Sequence, residues 1–234
     1  MRTLADRIDS LARTQPDAPA FLGDAGALSW REYAERTDRF AAHLASLGLL
    51  PGERVAVLLP DGPGVHVAYV ACEKAGLIVT GIGPRAGREE IRHLLAKSGA
   101  AALVSRATAR ELDLRALFAE LAASASAASA RAARRSHRSR AESNGGLRVG
   151  ERPSGRTSSP PPGRSPLRAH VVSDRQLDPG DACYGSDPER ASPAAAELSS
   201  RRLGVEDLFL LNSTSGTTGL PKCVTHHQAR WFHF

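Results

Sequence analysis

One short segment of the chain contains the residue types that bind phosphate groups. Residues 213–222 read Ser-Thr-Ser-Gly-Thr-Thr-Gly-Leu-Pro-Lys, with five hydroxyl side chains, two glycines and a closing lysine. Glycines let the backbone approach a ligand and turn successive N–H groups into one concavity that suits anionic oxygens. Hydroxyl groups add donors without bulk, and Lys222 adds a compact positive charge. The segment lacks the Gly-Lys-Ser/Thr ending of a Walker loop.

Composition alone would favour a flexible surface loop here, but the order of the residues indicates more. The nine positions from Thr214 to Lys222 resemble, without a gap, the phosphate-binding loop of the adenylate-forming (AMP-binding) superfamily. That superfamily includes acyl-CoA synthetases, luciferases and the adenylation domains of peptide synthetases. Further stretches that resemble its N-terminal domain are residues 16–20, 28–33 and 47–56, the Ala75-Gly76 pair, and the helix and strand up to Ser105. The resemblance covers residues 4–118 and 168–234.

This resemblance implies a two-step reaction. A small-molecule carboxylic acid attacks the α-phosphate of Mg²⁺-bound ATP to give an acyl-adenylate and pyrophosphate, and the thiol of CoA then displaces AMP. ATP, Mg²⁺ and CoA are therefore the expected cofactors and co-substrates. Acyl-CoA synthetases resemble the chain most, because Leu211-Asn212 precedes the loop and His226 follows Lys222 by four residues.

The resemblance also implies which residues bind the nucleotide. The predicted contacts to the β- and γ-phosphates are Thr214, Ser215, Gly216, Thr217, Thr218, Gly219 and Lys222. His226 and His227 are both candidates for the histidine that borders the acyl-adenylate pocket in relatives, and the spacing does not choose between them. For either one, a loop histidine without a role is the alternative. Cys223 stands where the family usually has glycine, and we interpret it as a small buried hydrophobe.

The resemblance also implies that this chain is an N-terminal fragment of such an enzyme, ending just after the phosphate-binding loop. The chain stops at Phe234, before the family's adenine-binding motif, metal-binding glutamate and C-terminal domain. No catalytic residue or metal ligand is therefore expected within it, and we expect it to be inactive alone. Residues 208–211 should form a strand that lacks neighbours and leaves apolar surface exposed. A non-catalytic nucleotide-binding remnant and a peptide-synthetase adenylation domain are the alternatives.

The elements that must position the loop alternate between strand and helix patterns. Residues 55–59 form a continuous apolar run typical of a strand buried on both faces, and residues 77–80 and 101–104 indicate two more strands. Helical patterns separate them, near residues 65–76 and 89–98. This spacing predicts parallel β-α-β units, and hence an α/β fold. The expected architecture is the large N-terminal domain of adenylate-forming enzymes, incomplete and with a disordered insert.

An earlier helix is indicated by its capping residues. Ser29 and Glu32 have the spacing of a capping box, after two short strands around a turn at residues 23–26. The second strand is expected to include Trp30. The apolar face of the helix is predicted to consist of Tyr33, Thr37, Phe40, Leu44 and Leu47, with Gly48 ending it.

The middle of the chain differs from both ends in its residue composition. We therefore divide the chain into residues 1–118, 119–167 and 168–234. From Arg131 to Arg168 there are ten arginines and two glutamates, and the only large aliphatic residues are Leu147, Val149 and Leu167. Such a segment cannot bury enough apolar area to offset roughly 1–2 kcal/mol of backbone entropy per residue. We expect disorder there, apart from a helical extension over the alanines. The composition also favours the hypothesis of a compensated frameshift.

Charge and composition bear on the function class. The net charge of +6 comes from the arginine-rich segment, whose local excess is +8, so the rest of the chain carries −2. No aromatic residues are interleaved with these arginines, so we expect no nucleic-acid partner. The three cysteines have no disulfide or metal-site spacing. No run approaches the roughly 20 apolar residues of a membrane span, and we expect a cytoplasmic protein.

Overall fold

The computed structural model describes residues 2–23, 26–127, 167–173, 195–214 and 219–231. The helices are α1 (Leu4–Thr14), α2 (Trp30–Ser46), α3 (Pro63–Lys74), α4 (Arg88–Ser98), α5 (114–127), α6 (Ala195–Arg201) and α7 (Gln228–Trp231). The strands are β1 (Pro19–Gly23), β2 (Gly26–Ser29), β3 (Arg54–Leu58), β4 (Ile78–Gly81), β5 (Ala102–Ser105), β6 (Thr108–Ala109), β7 (Leu112–Asp113), β8 (Ala169–Val172), β9 (Leu208–Ser213) and β10 (Cys223–His227). None of these helices is long and apolar enough to cross a bilayer.

A six-stranded sheet forms the centre of the fold, in the order β10-β9-β4-β3-β5-β8. The pairs β9-β4, β4-β3, β3-β5 and β5-β8 are parallel, and only β10 runs antiparallel. β4 and β5 lie on opposite sides of β3. Right-handed crossovers therefore place α3 and α4 on opposite faces of the sheet. The predicted parallel β-α-β units are confirmed.

The two faces of the sheet carry separate hydrophobic clusters among the described residues. Val55 and Val57 of β3 pack with α1, α2 and α3, whereas Ala56 and Leu58 pack with α4 and α5. This alternation follows from the two-residue repeat of a strand. Because helices cover both faces, Val55 to Leu58 are all buried, as the continuous apolar run predicts.

Helix α2 begins where its capping residues predict. The Ser29 hydroxyl accepts a hydrogen bond from the Glu32 N–H, and a Glu32 carboxylate oxygen accepts one from the Ser29 N–H at 2.8 Å. The helix therefore begins at Trp30, so the expectation that Trp30 ends the second strand is wrong. The predicted buried residues Tyr33, Thr37, Phe40 and Leu44 are confirmed, whereas Leu47 is only partly buried.

Helix α5 runs across the predicted boundary between residues 118 and 119. Leu114 and Leu117 are buried and Leu121 packs against them in the α4–α5 cluster, so one apolar face continues over the boundary. Residues 128–166 lie outside the described residues. The disorder and the frameshift predicted there stay predictions, and so does the three-part division of the chain.

The strand β9 has a neighbour on each side. β4 pairs with it in parallel, and β10 pairs with it antiparallel. Phe209, Leu210 and Leu211 are buried as a result. The expectation that this strand lacks neighbours is wrong, because residues 78–81 and 223–227 of the same chain supply them.

Candidate phosphate-binding site

The hydroxyl- and glycine-rich segment is the connection of a β-hairpin. β9 and β10 pair with Ser213 opposite Cys223, and the Thr214 N–H extends the ladder by donating to the Lys222 carbonyl at 3.0 Å. This bond closes the loop between Thr214 and Lys222. Sequence reasoning predicted the loop but not the strand that returns from it.

The hairpin places its loop at the edge of the sheet where the parallel strands end. Asn212 of β9 is level with Gly81, the last residue of β4. In open α/β sheets, ligands bind outside the carboxyl ends of the strands. The described ends of the loop, Thr214 and residues 219–222, therefore lie where this architecture usually holds a ligand.

Three of the seven predicted phosphate contacts lie within the described residues. Thr214, Gly219 and Lys222 are all exposed to solvent. A Cβ added at Gly219 would meet nothing within 4 Å, so the described part of the chain leaves room there for a ligand to approach the backbone. The predicted contacts that lie outside the described residues are Ser215, Gly216, Thr217 and Thr218.

Lys222 carries two donors, its ammonium group and its backbone N–H, that no described residue uses. Within the described ranges, neither its ammonium group nor its backbone N–H has a hydrogen-bond or ion-pair partner. An ammonium and an N–H on the same residue suit oxygens of a polyphosphate.

The exit of the loop rests against α4. The Nε2 atom of His93 lies 3.2 Å from the carbonyl oxygen of Pro221. Pro221 itself is a buried residue. Cys223, two residues on, is half-buried and packs against the α4–α5 cluster. Burial raises the pKa of its thiol, although Lys97 of α4 opposes the shift. This environment is the opposite of the one that activates a nucleophilic cysteine.

The two candidate histidines lie further along β10. His226 is opposite Leu210 and His227 is opposite Leu208, with a register shift between them. His226 is four residues from Lys222, about 13 Å along a strand at about 3.3 Å per residue. The Nδ1 of His227 is 2.9 Å from the Glu206 carbonyl, and a carbonyl only accepts, so this nitrogen donates. The pocket role of either histidine stays a prediction.

A tyrosine that sequence reasoning missed lies beside the ends of β4 and β9. A Cβ added at Gly81 would come within 2.5 Å of the Tyr69 hydroxyl and 3.4 Å of the Asn212 side-chain oxygen. Burial raises the pKa of Tyr69 to about 12, so its hydroxyl keeps its proton at neutral pH. Its position on α3 gives no sequence signal, because Tyr69 reads as one more apolar helix residue.

A metal site built from protein side chains is not evident in the part of the chain that the structure describes. No group of three or more His, Cys, Asp or Glu residues lies close enough there to hold an ion.

Comparison with known proteins yields one family. A family model described as AMP-binding enzyme matches residues 8–234. The chain is 39% identical over 127 residues to a salicyl-AMP ligase/salicyl-S-ArCP synthetase of Mycobacterium tuberculosis, covering 52% of this chain and 22% of that protein. It is 35% identical over 104 residues to a long-chain-fatty-acid–CoA ligase of Salmonella typhimurium, covering 44% of this chain and 18% of that protein.

Solved structures agree on the fold. The inhibitor-bound N-terminal domain of FACL13 from Mycobacterium tuberculosis matches with a TM-score of 0.60 and 19% identity, covering 97% of this chain and 45% of that one. At this identity the likeness supports the fold alone, and it confirms the predicted α/β architecture. The chain spans about a fifth of the length of the two curated relatives above.

Proposed function

Because the chain belongs to the AMP-binding enzyme family, we propose that it forms the phosphate-binding part of an ATP-dependent acid ligase. In the proposed first step, a carboxylate oxygen attacks the α-phosphorus of Mg²⁺-bound ATP. The bond from that phosphorus to the bridging oxygen breaks, giving an acyl-adenylate and pyrophosphate. In the second step, the thiolate sulfur of CoA attacks the acyl carbon, the bond from that carbon to the phosphate oxygen breaks, and AMP leaves with its electron pair.

The observation that carries this proposal is the exposed Lys222, at the end of the β9–β10 hairpin, whose ammonium and backbone N–H have no partner among the described residues. A triphosphate tail needs positive charge and N–H groups that no protein acceptor already occupies. The Thr214–Lys222 hydrogen bond at 3.0 Å holds these donors at the carboxyl edge of the sheet. The loop would then act by positioning the β- and γ-phosphates and by stabilising the charge of the departing pyrophosphate.

The nature of the acid and of the acceptor is the finer part of the proposal. We favour CoA as acceptor because the order of residues around the loop resembles acyl-CoA synthetases and one relative is a long-chain-fatty-acid–CoA ligase. The likeness to a salicyl-AMP ligase/salicyl-S-ArCP synthetase supports a second candidate, in which an aryl acid is activated and passed to another acceptor. We also infer that this chain alone binds ATP without completing the reaction, since it spans so little of either relative.

The loop is tested first with the chain itself. Calorimetry with Mg²⁺-ATP and with tripolyphosphate should give binding that Lys222→Ala weakens by about tenfold or more, the usual size for a charge-assisted hydrogen bond. Arg39→Ala is the matched control, because Arg39 is an exposed cation on α2. Equal affinities for the two variants would sink the proposed role of Lys222.

The reaction is tested with a full-length protein that contains this chain. Labelled pyrophosphate should enter ATP only when a carboxylic acid is present, because the first step is reversible. Fatty acids and aryl acids are compared, and CoA is then added to look for a thioester. Absence of exchange with every acid tried would contradict the proposed activity.

A further inference from the structure

In the hydrogen bond between His93 and the loop, the donor and the acceptor can be assigned. His93 lies on α4 and Pro221 in the loop, 128 positions later in the chain, yet the imidazole Nε2 is 3.2 Å from the Pro221 carbonyl oxygen. A carbonyl oxygen only accepts, so Nε2 must carry the proton. Both the neutral Nε2–H tautomer and the imidazolium can make this bond. The contact therefore does not depend on the charge of the histidine.

The carbonyl that His93 holds belongs to the same peptide unit as the Lys222 N–H. A peptide unit is planar, and in the trans form its C=O and N–H point in opposite directions. No described residue has a cis bond. Anchoring the Pro221 oxygen to α4 therefore turns the Lys222 N–H away from α4. The proline ring also fixes its own φ angle, which removes one way for this peptide to rotate.

The neighbouring residues hold the same segment from both sides. The Lys222 carbonyl accepts from the Thr214 N–H at 3.0 Å, and Cys223 packs against the α4–α5 cluster. The Lys222 N–H is the group left without a partner among the described residues. His93 therefore contacts the peptide unit whose N–H no described residue uses.

We propose that His93 is a positioning residue for the end of the phosphate-binding loop, orienting the peptide between Pro221 and Lys222 so that its N–H faces the polyphosphate. The phosphate half of this inference rests on the proposed function. The structural half, that His93 holds the Lys222 peptide in place, does not.

The structural half is tested by proteolysis of the whole chain. The sequence has only three lysines, and Lys74 is buried whereas Lys97 and Lys222 are exposed. A lysine-specific protease releases the peptide 223–234 when it cuts after Lys222. His93→Leu should raise the rate of that cut by about 3- to 10-fold, the range for one lost hydrogen bond. His93→Gln, whose amide can donate to the same carbonyl, should stay within about twofold of the wild type.

The matched control is Glu89→Gln, an exposed change on the same helix. It should leave the cut after Lys222 unchanged. If the protease cut the His93→Leu variant after Lys222 no faster than it cut this control, the positioning role would be refuted. The same holds if the His93→Gln variant was cut as fast as the His93→Leu variant. The rate of the cut after Lys97 is followed in each digest, and an equal rise there would reveal general loosening of α4, which also counts against the proposal.

The phosphate half is tested by affinity. Calorimetry with tripolyphosphate and Mg²⁺-ATP should show a loss of about 3- to 10-fold for His93→Leu, with recovery in His93→Gln. Unchanged affinity in His93→Leu, alongside faster cutting, would overturn the phosphate half. If the wild type bound neither probe and Lys222→Ala changed nothing, the proposed function itself would fail, an outcome separate from the proteolysis result.

Discussion

The ammonium of Lys74, at the end of α3, lies 2.8 Å from a carboxylate oxygen of Asp9 on α1. A second carboxylate, that of Asp38 on α2, lies 2.6 Å from the same nitrogen. The other oxygen of Asp9 accepts from Arg202 at 2.6 Å. Only 2% of the Lys74 side chain is exposed, so these contacts compensate a charge that is almost fully removed from water. One lysine thus joins the first three helices.

Acid should weaken this junction through Asp9. Burial by itself raises the pKa of Asp9, but Lys74 and Arg202 outweigh it and hold that pKa below its usual 3.8. The contribution of Asp9 to the free energy of unfolding is therefore complete above about pH 4 and is lost as the pH falls through the lowered pKa. Asp9→Asn should cost about 1.5–3 kcal/mol at pH 7, and this difference from the wild type should shrink below about pH 4.

Urea unfolding followed by circular dichroism at several pH values measures that difference. Asp17→Asn is the control, because Asp17 pairs with Arg31 at an exposed site and should contribute less than about 1 kcal/mol. A pH-independent cost for Asp9→Asn would contradict the assignment to Asp9.

Gly76 should tolerate no side chain. Its φ of +73° disfavours any other residue, and an added Cβ would lie 2.2 Å from the backbone oxygen of Arg201. Gly48 has the same φ of +73° with nothing within 4 Å. Gly48→Ala should therefore cost about 1–2 kcal/mol for backbone conformation alone, and Gly76→Ala clearly more. Equal losses in thermal or urea unfolding would show that Arg201 moves aside freely.

Substitutions at Gly81 and Tyr69 should have coupled effects on the free energy of unfolding. Gly81→Ala places a methyl group 2.5 Å from the Tyr69 hydroxyl oxygen. The same methyl group lies 3.6 Å from Cζ, the ring carbon bonded to that oxygen, which is an ordinary contact. Gly81→Ala should cost about 1–3 kcal/mol through overpacking, and adding Tyr69→Phe should recover most of it. A double-mutant cycle on the free energy of unfolding measures the coupling, and strict additivity would exclude it.

The cap of α2 should contribute measurably to stability. Ser29→Ala removes the hydroxyl that accepts from the Glu32 N–H, and we expect a loss of about 0.5–2 kcal/mol in the free energy of unfolding. Ser29→Gly should cost only a few tenths of a kcal/mol, since water can then reach the free N–H groups. The opposite ranking of the two variants would argue against a capping role.

Much of the local structure could be predicted from the sequence because its causes are local. The capping box of Ser29 and Glu32 spans three positions, and the buried run at residues 55–58 depends on residue type within one strand. The order of residues from Thr214 to Lys222 likewise identified the family without reference to any distant residue. Alternation of such segments was enough to indicate parallel β-α-β units.

Other features were decided only by the tertiary structure, because they join residues far apart in the chain. β9 gains its parallel neighbour from residues 78–81, and Lys74 pairs with Asp9 across 65 positions. His93 reaches Pro221 across 128 positions. No periodicity or spacing encodes such pairs, since they depend on strand order and on which helix faces meet. The sequence by itself determined which hydroxyl, glycine and lysine residues the loop contains, and packing decided what holds its described end at Pro221 and Lys222.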